Sequence, residues 1–148
     1  MTFERTLMAS WGDMDTNAHM RNSAFLDMCS DVRMMFFAEH GFAATDMHRQ
    51  RLGPVVKNDD IEYFRELHLM DSVRVTLMRA GLSDDGSRFR VRNEFWRADG
   101  KLAARVTSTG GWLDLDGRKL IVPPELLRTA LRMLDATTDY AVLPSSVK

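Results

Sequence analysis

Apolar side chains recur from Ser23 to His40 at the i, i+3, i+4, i+7 spacing of one helical face, through Phe25, Met28, Cys29, Val32, Met35 and Phe36. Leu26, Met34 and Phe37 widen that face, while Asp27, Ser30 and Asp31 keep the far side polar. The pattern predicts one helix, roughly 27 Å long at 1.5 Å per residue, and apolar around so much of its circumference that other elements must wrap it. Asn22 or Ser23 suits the N-cap and Gly41 the left-handed stop.

Elsewhere the period changes from helical to two. Phe3, Arg5 and Leu7 alternate with Glu4, Thr6 and Met8, a first strand of mixed polarity. Ala43 to Arg51 is a short helical or irregular connection. Val55 to Leu67 forms one long strand candidate anchored by Ile61, Tyr63 and Leu67. Further alternating runs come at Val73–Leu77, Phe89–Phe95 and Leu102–Val106, the last extending past Gly110 and Gly111 to Leu115. Turns at Ser83–Gly86, Ala98–Gly100 and Asp116–Gly117 separate them, so these strands form an antiparallel meander. Pro123 and Pro124 open a closing helix with Leu127, Ala130, Leu131 and Leu134 on one side. The expectation is α+β: one long central helix wrapped by a curved antiparallel sheet of about five strands. A single domain spans residues 1–134, and residues 135–148 form a loosely held tail. The sheet edges that one helix leaves bare call for a second copy of the chain.

Composition narrows the function classes. The 148 residues suffice for one domain with a real core. Twenty basic residues against 21 acidic leave a net charge of −1, so no bulk field points to nucleic acid or a membrane surface. Cys29 is the one cysteine, which excludes an intrachain disulfide and fits a reducing compartment. Glu4 and Arg5 stand where a signal peptide needs its apolar centre, and no apolar run approaches a membrane span; a cytoplasmic location is expected.

The polar loop Trp11 to Asn22 feeds directly into the helix start, where unpaired backbone N–H groups and a partial positive charge favour anionic chemistry. Its Asp13-Met14-Asp15-Thr16-Asn17 run is not a calcium loop, because Ala18 replaces the glycine at position six and Ala24 the glutamate at position twelve. A haloacid-dehalogenase-type phosphatase also uses Asp-x-Asp, but Asn17 and the preceding Ala9-Ser10-Trp11-Gly12 depart from its pattern. Joined to the apolar helix, the run Trp11, Asp13, Asp15, His19, Asn22, Phe25 resembles the hotdog-fold acyl-CoA thioesterases of the 4-hydroxybenzoyl-CoA thioesterase-like group. Gly53-Pro54-Val55-Val56, the strand Ile61-Glu62-Tyr63-Phe64-Arg65, and Asp71 extend the likeness, which covers roughly Phe3 to Leu131 in element order. The sequence departs from the family pattern at Ala18, where glycine is usual, and at Arg21, Phe25 and Glu66.

The resemblance implies a homodimer or homotetramer that hydrolyses an acyl-CoA or acyl-carrier thioester without metal or redox cofactor. It implies Asp15 as the catalytic carboxylate, either attacking the carbonyl or activating a water. Backbone amides of the first helical turn, near Asn22, would hold the oxyanion, and their dipole would favour an ionised Asp15. The leaving thiol, with a pKa of about 8.5, departs as thiolate with little help. Asp13 shapes the loop. Asn17, His19, Met20, Asn22 and Phe25 are expected to line the pocket, joined by Asn58 and Asp59 from a strand that in this family crosses over from the partner subunit. Arg88, Arg90, Arg92, Arg97 and Arg105 suit either a solvated sheet face or CoA phosphates. A non-catalytic acyl-CoA or acyl-carrier binding module and a hydratase pairing His19 with Asp15 are the alternatives on the same fold.

Overall fold

A computed structural model describes residues 1–147. Helix α1, Asn22–Glu39, buries Ala24, Phe25, Met28, Cys29, Val32, Phe36 and Phe37, the face that the apolar spacing marks. Asp27, Ser30 and Asp31 lie on the opposite side, and all three are exposed. The helix stops where Gly41 takes a φ of +82°, open to glycine at no steric cost. Its start departs from expectation. Arg21, not Asn22 or Ser23, is the N-cap residue, and no side chain caps the helix. The Arg21 amide is already held by the Asp13 carbonyl at 2.7 Å, which fixes the entry one residue early.

Among the described residues seven strands surround this helix, two more than the pattern predicts. They are β1 Phe3–Met8, β2 Leu52–Tyr63, β3 Ser72–Ser83, β4 Arg88–Arg97, β5 Leu102–Asp114, β6 Lys119–Ile121 and β7 Ala136–Leu143. The main path runs β1-β3-β4-β5-β2, five strands with every pairing antiparallel. The β3-β4-β5 portion is the meander expected from the turns. The two extra strands fill edge positions that this path leaves open. β6 pairs with Trp112–Asp114 of β5, past the point where β4 begins. β7 runs parallel to β3 along Arg79–Ser83, beyond the end of β1 on the same edge. Within the segment expected to be a loosely held tail, Ala136–Leu143 therefore forms a strand. Two short helices, α2 Ala44–Arg49 and α3 Glu125–Met133, complete the chain. The α+β hotdog arrangement expected from the sequence is present.

Strand β2 is shorter than its alternation suggests. It ends at Tyr63 because the amides of Phe64 and Arg65 both donate to the Ala103 carbonyl, at 2.8 and 3.0 Å, and Leu67 then turns into the core. The register of β2 on β5 shifts between Val56 and Asn58. A bulge reverses the parity of side chains along a strand. Val56 on one side of it lines the helix-facing cavity, whereas Lys57, Asn58 and Asp60 line the outer groove of the sheet. Opposite this shift stands Gly110, where a Cβ would overlap the Val55 carbonyl oxygen. Glycine here is a packing requirement.

Candidate active site

The polar loop is built from two consecutive backbone turns. Residues Trp11–Asp13 form a 3₁₀ turn whose entry is held by the Asp13 carboxylate, which accepts the Ser10 amide at 2.9 Å. Asp13 thus acts on the loop itself. The second turn belongs to Asp15, whose Oδ1 accepts the amides of Asn17 at 2.8 Å and His19 at 3.2 Å. Met14 and Met20 bridge across its base. The turn closes through Ala18, whose φ is +62°. That left-handed conformation costs an L-residue with a Cβ about 1–2 kcal/mol, so the departure from glycine at this position is strained rather than neutral.

Asp15 is exposed, and its Oδ2 accepts no protein hydrogen bond among the described residues. It lines a pocket of about 340 Å³ together with His19, Met20, Asn22, Phe25, Tyr63, Phe64, Arg65 and Glu66. Five of the residues expected from the sequence therefore meet in one place: Asp15, His19, Met20, Asn22 and Phe25. The floor is the start of α1. Ala24 N–H bonds back to Arg21 O at 3.0 Å, and the amides ahead of it, of Asn22 and Ser23, have no intrahelical acceptor by the geometry of any helix start. Tyr63 anchors this corner by donating its hydroxyl to the Asn22 carbonyl at 3.1 Å. Phe25 packs edge-on between Tyr63 and Phe95, with ring centroids 5.3 and 5.1 Å away.

The other expected residues lie elsewhere. Asn17 contributes its amide to the Asp15 turn but does not line the pocket. Asn58 faces the outer groove with Lys57, Arg88, Arg90, Arg92 and Arg105. Asp59 points the other way and accepts a hydrogen bond from Ser108. A single chain brings neither to Asp15. Tyr63, Phe64, Arg65 and Glu66 are legible in the sequence as strand residues only; nothing in their alternation says that the strand ends at Tyr63 and folds over the helix start.

Two inward-facing groups bear on the chemistry. Burial pushes the Cys29 thiol up to about 12, Arg33 opposing and Asp59 adding to the effect, so it stays protonated and is no nucleophile at neutral pH. Burial also lowers Arg33 from the ordinary arginine range. Its guanidinium is satisfied by Asn93 Oδ1 at 2.9 Å and Ser108 Oγ at 2.8 Å, which links it to Asp59 through Ser108. No helix is long and apolar enough to cross a membrane among the described residues.

The family model of the thioesterase-like superfamily matches residues 9–131 of this chain. Among solved structures, SAV2348 from Staphylococcus aureus in complex with CoA superposes with a TM-score of 0.83 at 21% identity, over 99% of this chain and 92% of that one. Slr0204, a 1,4-dihydroxy-2-naphthoyl-CoA thioesterase from Synechocystis, gives 0.80 at 20% identity over 90% and 98%. A DHNA-CoA thioesterase from Staphylococcus aureus gives 0.80 at 16% over 88% and 89%. A comparison with curated protein sequences finds no match.

Proposed function

The chain belongs to the thioesterase-like superfamily, and we propose that within it the protein hydrolyses acyl-CoA or acyl-carrier thioesters with Asp15 as the working carboxylate. The observation that carries this reading is the pairing of a backbone-anchored carboxylate with an uncapped helix start in one pocket. One oxygen of Asp15 is spent on holding the turn, which leaves Oδ2 for the reaction.

In the general-base route, Asp15 takes a proton from water as the water oxygen adds to the thioester carbonyl carbon. The carbonyl becomes a tetrahedral oxyanion, held by amides of the first turn of α1. The C–S bond then breaks, the electron pair leaves with sulfur as thiolate, and the free acid departs. In the nucleophilic route Asp15 itself adds to the carbonyl and an acyl–aspartyl anhydride forms before water opens it. Hydroxylamine trapping bears on the choice once its direct reaction with the thioester is subtracted, since an acyl–aspartyl anhydride gives additional, enzyme-dependent hydroxamate. His19 and Tyr63 line the acyl or thiol approach. The neighbouring structures of CoA thioesterases and of a CoA complex support CoA-thioester chemistry for this chain.

We further propose that the functional unit is a homodimer or homotetramer. The β2 strand forms one edge of the main sheet path and carries exposed Val56 and Tyr63; an edge of that length needs cover. Pairing there would also bring Asn58 and Asp59 towards a second chain. Thiol release from a panel of acyl-CoAs, by wild type and Asp15→Asn, tests the proposed activity. Tight binding of acyl-CoA with no release of thiol would favour a binding module instead.

A further inference from the structure

The geometry points to a site for one divalent transition-metal ion of the zinc class, formed by His19, Glu66 and His68. It rests on side-chain placement alone and does not depend on thioester hydrolysis. Nε2 of His19 lies 3.0 Å from Oε2 of Glu66, and Nε2 of His68 lies 3.5 Å from Oε1 of the same carboxylate. All three ligand atoms fall within 4.8 Å of one another, and no other group of three such side chains converges among the described residues. Around a tetrahedral zinc ion with bonds of about 2.0–2.1 Å, ligand atoms sit about 3.3 Å apart. The two contacts bracket that spacing, one to each oxygen of the Glu66 carboxylate. The imidazole rings stand at 78° with centroids 5.4 Å apart, which lets two nitrogens meet one carboxylate without stacking.

The backbone braces this arrangement. The Met20 amide donates to the Leu67 carbonyl at 2.7 Å, joining the neighbour of His19 to the residue between Glu66 and His68. Leu67 is buried, and its flanking residues Glu66 and His68 both face outwards. Behind His68, Nδ1 faces Asp71 Oδ2 at 3.6 Å, and that same oxygen accepts the His68 amide at 2.8 Å. A carboxylate behind the far ring nitrogen is how metal-bound histidines are commonly held in orientation and tautomer. Two imidazoles and one carboxylate suit zinc, cobalt or nickel, whereas magnesium and calcium demand mostly oxygen. Three protein ligands leave a fourth position for water or a thiolate. His19 and Glu66 also line the pocket that holds Asp15, so an ion here would clip the polar loop to the segment after β2 at the pocket rim.

Isothermal titration of the untagged, metal-stripped chain with ZnCl₂, and with MgCl₂ in parallel, tests the site. The expected result is one zinc per chain, a rise in thermal midpoint with zinc, no magnesium binding, and a tetrahedral visible spectrum with CoCl₂. His68→Ala and Glu66→Gln, both at exposed positions, should each weaken zinc binding at least about tenfold and abolish the cobalt spectrum. Asp71→Asn should weaken it by about 10–100-fold at unchanged stoichiometry. Absence of zinc binding in wild type would overturn the proposal, as would binding that survives both His68→Ala and Glu66→Gln unaltered. Either result leaves the thioesterase reading standing, because that reading is scored by thiol release.

Discussion

Asp15 and His19 are tied to each other twice: the His19 amide donates to the Asp15 side chain at 3.2 Å, and the Asp15 amide donates to the His19 carbonyl at 2.8 Å. The double link makes a tight loop that aims one carboxylate and one imidazole into the same pocket. Closing so short a loop requires a left-handed residue, and the chain supplies Ala18.

Ala18→Gly should therefore stabilise the protein. Relief of the left-handed strain, about 1–2 kcal/mol, exceeds the entropic cost of glycine, about 0.5–1 kcal/mol. Urea unfolding should give a net gain of up to about 1.5 kcal/mol, and Ala18→Val should lose stability.

Gly110→Ala should be destabilising by about 1–3 kcal/mol, because the new methyl group meets the Val55 carbonyl and the Phe89 ring. The loss should appear in urea unfolding, with amide exchange quickening first along β2 and its partner β5.

Acid should weaken the protein partly through Asp85. Burial pushes its carboxyl up, but hydrogen bonds from the side chain of Ser145, the side chain and amide of Ser87 and the side chain of Ser83 outweigh that and hold it well below the usual carboxylate range. A depressed folded pKa contributes stability that is complete above the unfolded value and is lost as pH falls through the folded one. Asp85→Asn should thus be less stable than wild type at pH 7, with the difference shrinking below about pH 4. Unfolding curves across that range read it directly.

Cys29 should be silent to thiol reagents in the folded protein. Its side chain is wholly buried and its thiol is pushed up to about 12. Ellman's reagent should find no fast-reacting thiol at pH 8 and one per chain after denaturation, and alkylation of the native protein should leave turnover unchanged. This silence also means that thiol detected during turnover comes from substrate.

Much of the fold was legible because its signals are local and periodic. The α1 stripe and the turns at Ser83–Gly86, Ala98–Gly100 and Asp116–Gly117 give the helix and the meander directly. What escaped depends on partners distant in the chain. β7 carries Asp139 and exposed Ala141 and Val142, and becomes a strand only because β3 offers it an open edge beyond β1. The parity reversal at Lys57 comes from a register shift against Gly110 and cannot be read from β2 alone. The same holds for the site. Asp15, His19, Asn22 and Phe25 sit in one contiguous stretch, whereas Tyr63 reaches the pocket from the end of β2 and Phe64, Arg65 and Glu66 from the segment that follows it.

The most direct test of the proposed chemistry is the steady-state rate of thiol release by Asp15→Asn on whichever acyl-CoA wild type turns over best. The amide keeps an acceptor oxygen for the Asn17 and His19 amides, so the loop and the unfolding curve should be preserved. A fall in kcat of about 10²–10⁴-fold with acyl-CoA binding retained is the predicted result; a rate equal to wild type would contradict the assignment of Asp15.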